Sequence, residues 1–151
     1  MSTAESERAP TIRWARGEQD IAGAIAIREL VFCGEQGVTL EEEHDGFDAA
    51  ALHVVARAPD GHEVIGTLRL LGDGETAKIG RVAVRRDWRR RGVALRMLEL
   101  AIDRAVERGF TRARLAAQLD AIELYRRVGF EVESEPFDSA RIVHVWMGRT
   151  L

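Results

Sequence analysis

The feature that most constrains this chain is a change of pattern between residues 77 and 109. Ala77 to Val84 reads as a strand. Arg85, Arg86, Arg89, Arg90 and Arg91 then crowd around Asp87 and Trp88. From Gly92 to Arg108 the period becomes helical, with Ala94, Leu95, Leu98, Ala101, Ile102 and Ala105 on one broad face and Arg96, Glu99, Asp103 and Glu107 largely opposite. A strand that enters a helix through a glycine-bearing loop gathers unpaired backbone N–H groups and the positive end of the helix dipole at one place. Gly92 and Ala94 leave little side chain to obstruct an approaching phosphate, and arginine suits bidentate contact with it. The turn therefore reads as an anion cradle, although it carries neither the G-x-G-x-x-G of dinucleotide sites nor the G-x-x-x-x-G-K of a P-loop.

Charge elsewhere is opposed to that turn. Glu41, Glu42, Glu43, Asp45 and Asp48 fall in one short stretch, so the total of -3 sums two patches of opposite sign. The acidic stretch reads either as a solvated loop or as an attraction for a cationic amine. At 151 residues and 46% hydrophobic content the chain suits one hydrophobic core. The single Cys33 excludes an internal disulfide and a cysteine-based zinc site, and four scattered histidines lack ligand spacing, so no metal is expected. Residues 1–10 are expected to be a mobile tail without the apolar region of a signal peptide, and no run is long enough to cross a bilayer. These features point to a cytoplasmic location, with no membrane partner. An overall negative charge also opposes a nucleic-acid-binding module, the reading that the arginine cluster alone would invite.

Along the chain, Thr11–Trp14 is a predicted strand and Asp20–Phe32 a helix with Asp20 as N-cap and Arg28 on its inner face by its stem. Ala51–Ala56 and Val64–Leu71 form strands around an Asp60-Gly61 hairpin turn, and Gly72-Asp73-Gly74 turns the chain into Ala77–Val84. After the long helix, Arg112–Ala117 is a strand. Asp120–Val128 is a short helix with an Asp120…Glu123 capping box and Gly129 at its end, and Phe130–Glu133 and Arg141–Met147 supply the last strands. The order is β-α-β-β-β-α-β-α-β-β, a mixed α/β fold. A right-handed crossover makes the strands on either side of the long helix parallel, the remaining hairpins antiparallel.

The arginine turn resembles motif A of the GNAT superfamily of acyl-CoA N-acyltransferases, Arg/Gln-x-x-Gly-x-Gly/Ala, through Arg89, Gly92 and Ala94. Ala121…Leu124-Tyr125…Gly129-Phe130 is similar to the same family's motif B, and the likeness spans about Thr11 to Met147. A finer likeness to the ElaA-like subgroup rests on Arg28…Val31-Phe32…Glu35-Gln36-Gly37-Val38, Glu43-His44-Asp45-Gly46-Phe47-Asp48, Leu52-His53-Val54, Gly66-Thr67-Leu68-Arg69-Leu70, Lys78 to Val84 and Phe137-Asp138…His144. Where that subgroup usually has Leu-His-Ala-Gln, this chain reads Leu115-Ala116-Ala117-Gln118. Arg28, Phe32, Asp45, Asp48 and Arg69 are also faintly similar to acyl-homoserine-lactone synthases, whose tryptophan after the first helix is missing.

The resemblance implies a single N-acetyltransferase domain over residues 11–151, built on a twisted mixed sheet of about seven strands with helices on both faces. It implies acetyl-CoA as co-substrate, its pyrophosphate on the turn formed by Arg89, Arg90, Arg91, Gly92, Val93 and Ala94. The pantetheine arm would follow the backbone of Val82, Ala83 and Val84, with Gln118 and Tyr125 beside it, and a backbone N–H there would polarise the thioester carbonyl. Acyl transfer is then direct attack by a primary amine of a small molecule or peptide in a ternary complex. Tyr125 takes the position of the family's general acid, and Glu43, His53 and His144 are the leading base candidates, with Glu35 and Asp45 behind them. A non-catalytic CoA-binding protein is the competing reading within the family. A homodimer could form by pairing of an exposed C-terminal strand.

Overall fold

The computed structural model describes residues 9–151, so most of the expected N-terminal tail lies outside the described residues. Eight strands form one sheet: β1 (Thr11–Trp14), β2 (Leu52–Arg57), β3 (Val64–Asp73), β4 (Thr76–Val84), β5 (Arg112–Gln118), β6 (Glu131–Val132), β7 (Phe137–Ser139) and β8 (Ile142–Thr150). The order is β1-β2-β3-β4-β5-β8-β6, with β7 also on β8. As expected, β4 and β5 are parallel, and the other pairs are antiparallel. Helix α1 (Gly17–Arg28) and the short α2 (Leu40–Glu43) precede β2, α3 (Val93–Glu107) joins β4 to β5, and α4 (Ile122–Arg126) follows β5.

Two apolar clusters fix this arrangement. Val93, Met97, Leu98, Ala101, Ile102 and Ala105 of α3 pack on Val54, Leu68, Leu70, Ala77 and Ile79, and each large side chain so buried contributes roughly 1.5–3 kcal/mol. Ile27 and Val31 form the second cluster with Ala83. Gly72 lies within β3 rather than in the turn; a Cβ there would meet the Phe110 ring at 2.9 Å, so this glycine is required by packing. The turn itself is Gly74-Glu75, between the paired residues Asp73 and Thr76.

Several local expectations are corrected. Helix α1 starts four residues early, with Arg16 rather than Asp20 as N-cap. Asp20 sits inside its first turn, where its carboxylate accepts the Arg16 N–H at 2.6 Å and binds the guanidiniums of Arg13 and Arg57. The helix also runs past Phe32 as a π-helical stretch over Glu29–Glu35. A 3-10 turn over Leu119–Ala121 opens α4, so the Asp120…Glu123 box does not form; Glu123 pairs with Arg126 instead. Part of the acidic connection is helical, because Thr39 and Glu42 make a capping box ahead of α2. The C-terminal strand is flanked by β5 on one side and by β6 and β7 on the other, which removes it as an open edge for dimer pairing. The β7–β8 hairpin turns on Ala140 and Arg141, both at positive φ, without the Asn-Gly signal that would announce it.

Candidate active site

Parallel pairing of β4 with β5 is confined to Thr76–Lys78 against Arg112–Arg114. Beyond Lys78 the two strands part, and β5 keeps its pairing with β8 through Gln118 and His144. The backbone of Ile79–Val84 is left without a strand neighbour on that side. A bulge sets the parting: Thr67 pairs with Ala83 but Arg69 pairs with Gly80, so β4 holds one extra residue there. Arg81 takes φ 53°, a left-handed conformation that costs a non-glycine residue about 1–2 kcal/mol. Ala77 and Ile79 face the α3 cluster before the bulge, Val82 and Val84 after it, which is the change of parity that one inserted residue produces.

The strand leads into the arginine turn. A 3-10 turn over Arg86–Trp88 precedes Arg90 at φ 62° and Gly92 at φ 80°, and the first bond into helix α3 is from Arg96 N–H to Gly92 C=O. The N–H groups of Arg90, Arg91, Gly92, Val93, Ala94 and Leu95 have no backbone acceptor among the described residues. Left-handed residues alternating in such a turn aim successive N–H groups into one concavity. Nothing lies within 4 Å of where a Gly92 Cβ would project, so the approach is open.

The arginines of the turn divide by role. Arg89 faces inward: Nε donates to Val84 C=O and Nη2 to Glu35 Oε2, both at 2.8 Å, so it fastens the turn to the end of the π-helical stretch. Arg85 binds Asp87 and Glu63. Arg91 lies over the Trp88 ring, 4.8 Å from its centroid. Arg90 forms no ion pair among the described residues and its backbone is in the cradle.

Tyr125 on α4 is 7% exposed and its ring meets Phe130 edge-on. Burial, aided by the nearby charge of Asp120, pushes its phenol well above the ordinary value, so it is protonated at any physiological pH. Gln118, at the end of β5, donates to Gln36 Oε1 at 2.9 Å and so links the parted strand to the loop after the π-helical stretch. Cys33 is half-buried, and burial with the neighbouring charges of Glu43, Glu29 and Glu42 raises its thiol, which keeps it from acting as a thiolate.

The base candidates are separated by their surroundings. His144 lies opposite Gln118 across β5 and β8. Its Nδ1 is 2.7 Å from Ile142 C=O, a contact that requires the proton on Nδ1 and leaves Nε2 as the basic nitrogen of the neutral ring. Phe137 stacks on the same ring at 5.9 Å. His53 lies on β2, two strands from the parting edge; its Nε2 bonds Asp48 C=O at 3.0 Å, and its Nδ1 is buried without a partner. Glu35 is held by Arg89 and Arg86.

Glu43 and Asp45 belong to a structure that sequence reasoning missed. Arg28 Nε donates to Glu43 Oε1 at 2.5 Å, and Arg81 Nε lies 2.7 Å from Glu43 Oε2. Arg81 Nη2 donates to Asp45 Oδ2 at 3.1 Å, and Arg69 Nη1 to Asp45 Oδ1 at 2.9 Å and Asp48 Oδ1 at 3.1 Å. Arg28 Nη1 closes the ring on Asp48 Oδ1 at 2.7 Å. Three guanidiniums and three carboxylates thus alternate in a closed, neutral circuit, with Arg28 and Glu43 0% and 1% exposed. Arg69 holds the Asp45 carboxyl well below its usual range against the cost of burial. Burial alone would raise Asp48, but Arg28 and Arg69 keep it lowered. Glu42 is taken by Arg141. Of the acidic stretch, Glu43, Asp45 and Asp48 are therefore tied into the ring and Glu42 to Arg141, while Glu41 is exposed and forms no ion pair among the described residues. The ring's one sequence-level signal was an arginine on the inner face of an apolar helix.

A surface hollow of about 810 Å3 lies elsewhere, against the C-terminal half of α3; of its three arginines, Arg112 and Arg149 turn to Glu133 and to Val128 C=O, and Arg127 forms no ion pair among the described residues.

An open mixed sheet whose central parallel strands part beside a strand-to-helix turn is the fold shared with acyl-CoA-dependent acyltransferases. Residues 24–130 match the Acetyltransferase (GNAT) family, and the chain belongs to it. It is 31% identical over 134 residues to the uncharacterized N-acetyltransferase YjcF of Bacillus subtilis, covering 88% of this chain and 94% of that one. An acyl-CoA N-acyltransferase from Pseudomonas aeruginosa superposes with a TM-score of 0.82 at 26% identity, over 92% of this chain and 99% of that one. Escherichia coli ElaA shares the fold, with a TM-score of 0.79 at 21% identity over 92% and 99% of the two chains. Family membership supports acyl transfer from acyl-CoA. Among the described residues, no helix is long and apolar enough to cross a membrane.

Proposed function

We propose that residues 11–151 form one N-acyltransferase unit that works in the cytoplasm and moves an acetyl or other short acyl group from acyl-CoA to a primary amine. The observation that carries this reading is the run of six unclaimed N–H groups, Arg90 to Leu95, at the mouth of the parted strands. The cradle would take the pyrophosphate of CoA, with Arg90 and Arg91 adding charge, and the unpaired backbone of Val82–Val84 would hold the pantetheine arm between β4 and β5. The thioester carbonyl then lies against a backbone N–H that stabilises negative charge on its oxygen in the tetrahedral state.

The amine enters from the side of Gln36, Gln118 and His144 and attacks the carbonyl carbon directly. His144 Nε2 accepts the proton released from the attacking nitrogen and passes it to water, and the C–S bond breaks. Tyr125 would act on the departing sulfur, as the family's general-acid position implies. A phenol raised by burial stands further above a thiol's reference value of about 8.5. It therefore stabilises the thiolate by donating a hydrogen bond rather than by surrendering its proton, and CoA leaves as its thiolate.

The test mixes the protein with acetyl-CoA and a panel of small-molecule and peptide amines and follows release of free thiol. Amine-dependent release is expected, accompanied by a rise in melting temperature with saturating acetyl-CoA, since about a hundredfold excess over Kd stabilises by roughly 2.7 kcal/mol. Thermal stabilisation without release on any amine would leave a CoA-binding protein and end the catalytic reading.

A further inference from the structure

We propose that the closed ring of Arg28, Glu43, Arg81, Asp45, Arg69 and Asp48 is a positioning device for acyl transfer: it holds Arg81 in its left-handed conformation and thereby sets the β4 bulge that presents the strand's N–H groups to the thioester. The inference rests on the acyl-CoA reading above and deepens it.

Three observations meet at Arg81. Its φ of 53° is unfavourable for a residue with a side chain, and such conformations persist only where the surroundings over-determine them. Its guanidinium reaches away from the strand to Glu43 and Asp45 and also approaches the Glu43 carbonyl at 3.2 Å. Glu43, in turn, is immobilised by Arg28, which is itself fully buried on the inner face of α1. The bulge is thus braced against the first helix and the acidic stretch rather than by its own strand. It is also where β4 changes parity, just beyond Lys78, the last residue paired with β5. A glycine could take the same φ at no steric cost; an arginine there is explained by what its side chain grips.

Two variants separate bracing from simple burial of charge. Arg81→Ala and Arg81→Gly delete the same side-chain contacts, but only glycine accepts the left-handed backbone unaided. The Arg81 side chain is 27% exposed, so these changes disturb the interior less than changes at Arg28 or Glu43. The turnover number should fall about tenfold in Arg81→Ala and recover to within about twofold of the parent in Arg81→Gly, a ratio of about fivefold or more, which a left-handed penalty of about 1 kcal/mol produces. The KM for acetyl-CoA should change less than kcat does, because the pyrophosphate cradle is untouched and only the pantetheine contacts at Val82–Val84 follow the bulge. The 13C resonance of the thioester carbonyl in bound [1-13C]acetyl-CoA should move toward its free position in Arg81→Ala and less so in Arg81→Gly. Equal losses in both variants, or none in either, would overturn the proposal. Should Arg81→Ala not fold, Arg81→Lys replaces it: a single ammonium lacks the fork by which Arg81 reaches Glu43 through Nε and Asp45 through Nη2, so kcat should drop by more than KM changes, and an unchanged kcat would count against the ring. If the parent protein acylates no amine, the catalytic reading falls alone, and the ring is still judged on the carbonyl resonance. If acetyl-CoA does not bind at all, amide exchange at Ile79–Val84 decides: it should be faster in Arg81→Ala than in Arg81→Gly, and equal rates would refute the bracing.

Discussion

The stretches Arg85–Arg91 and Glu41–Asp48 look like mirror images in the sequence, one basic and one acidic. Folded, they differ in what their groups are free to do. The acidic stretch gives Glu43, Asp45 and Asp48 to a ring with three arginines from α1, β3 and β4, and Glu42 to Arg141. The basic turn also spends side chains on pairs, Arg85 on Asp87 and Glu63 and Arg89 on Glu35. Yet it keeps six backbone donors and Arg90 uncommitted. Charge density along a chain therefore does not show which patch can bind a ligand. Whether each charge has a partner from another element does, and in the turn the backbone supplies more of the binding capacity than the side chains.

The comparison is broken most severely at the ring. Arg28→Ala removes a buried guanidinium that contacts Glu43 and Asp48, leaves Glu43 to Arg81 alone and Asp48 to Arg69 alone with the ring one positive charge short, and should cost about 3 kcal/mol of stability in urea unfolding. A loss below about 1 kcal/mol would mean that the ring is far wetter than its burial indicates. Next in size is Gly92→Val. Its φ of 80° disfavours any side chain, and a branched one would stand in the cradle. Acetyl-CoA binding, followed by calorimetry, should weaken at least tenfold, with a stability loss of about 1–2 kcal/mol. Full-strength binding in this variant would place the pyrophosphate elsewhere.

The acidic side also has a signature in pH. Asp45 and Asp48 are held below the ordinary carboxylate range as described, and Asp20 likewise, by Arg13 first and then by the Arg16 N–H and Arg57 against the cost of burial. The unfolded chain takes up protons at these groups near pH 4, where the folded protein does not. Their contribution to stability is therefore complete above about pH 5 and is lost as the pH falls through and below about 4. Urea midpoints should be level from pH 7 to 5 and drop steeply toward pH 3, and Asp20→Asn should flatten part of that drop.

Much of this arrangement was legible in the sequence for physical reasons. Strand and helix periods in Ala77–Arg108, with Gly92 between them, foretold both the parallel crossover and the unpaired backbone N–H groups of the turn. The bulge at Arg81 was not legible, because an arginine gives no local sign of a left-handed backbone. In retrospect the trace is in the buried set, Ala77 and Ile79 followed by Val82 and Val84, odd then even. The ring was hidden for a related reason: its members come from α1, the acidic stretch, β3 and β4, and pairing across that separation follows from tertiary contact, not spacing. Asp20 was misread as an N-cap because a carboxylate that binds the N-cap's N–H from inside the helix has the same composition as one that caps it. The β7–β8 hairpin escaped because Ala140 and Arg141 carry none of the usual turn preference.

The finest cut divides the basic turn itself. Arg85 and Arg90 are five residues apart and carry the same charge, but Arg85 is held between the exposed carboxylates of Asp87 and Glu63, whereas Arg90 has no such partner and its N–H is part of the cradle. Removing an exposed pair changes stability by at most about 1 kcal/mol, so Arg85→Ala should unfold nearly as the parent does and bind acetyl-CoA within about twofold of it. Arg90→Ala keeps the backbone donor and loses one charge-assisted phosphate contact, worth about 1.5 kcal/mol at the low end of the range for bonds to charged groups, which is roughly a tenfold loss of affinity at low salt. Screening shortens the reach of exposed charges from about 10 Å at 0.1 M to about 3 Å at 1 M, so the gap between Arg90→Ala and the parent should close as salt is raised while the gap for Arg85→Ala stays small throughout. Equal effects of the two substitutions at every ionic strength would mean that the turn acts through its summed charge, and that the division between paired and free arginines has no consequence for binding.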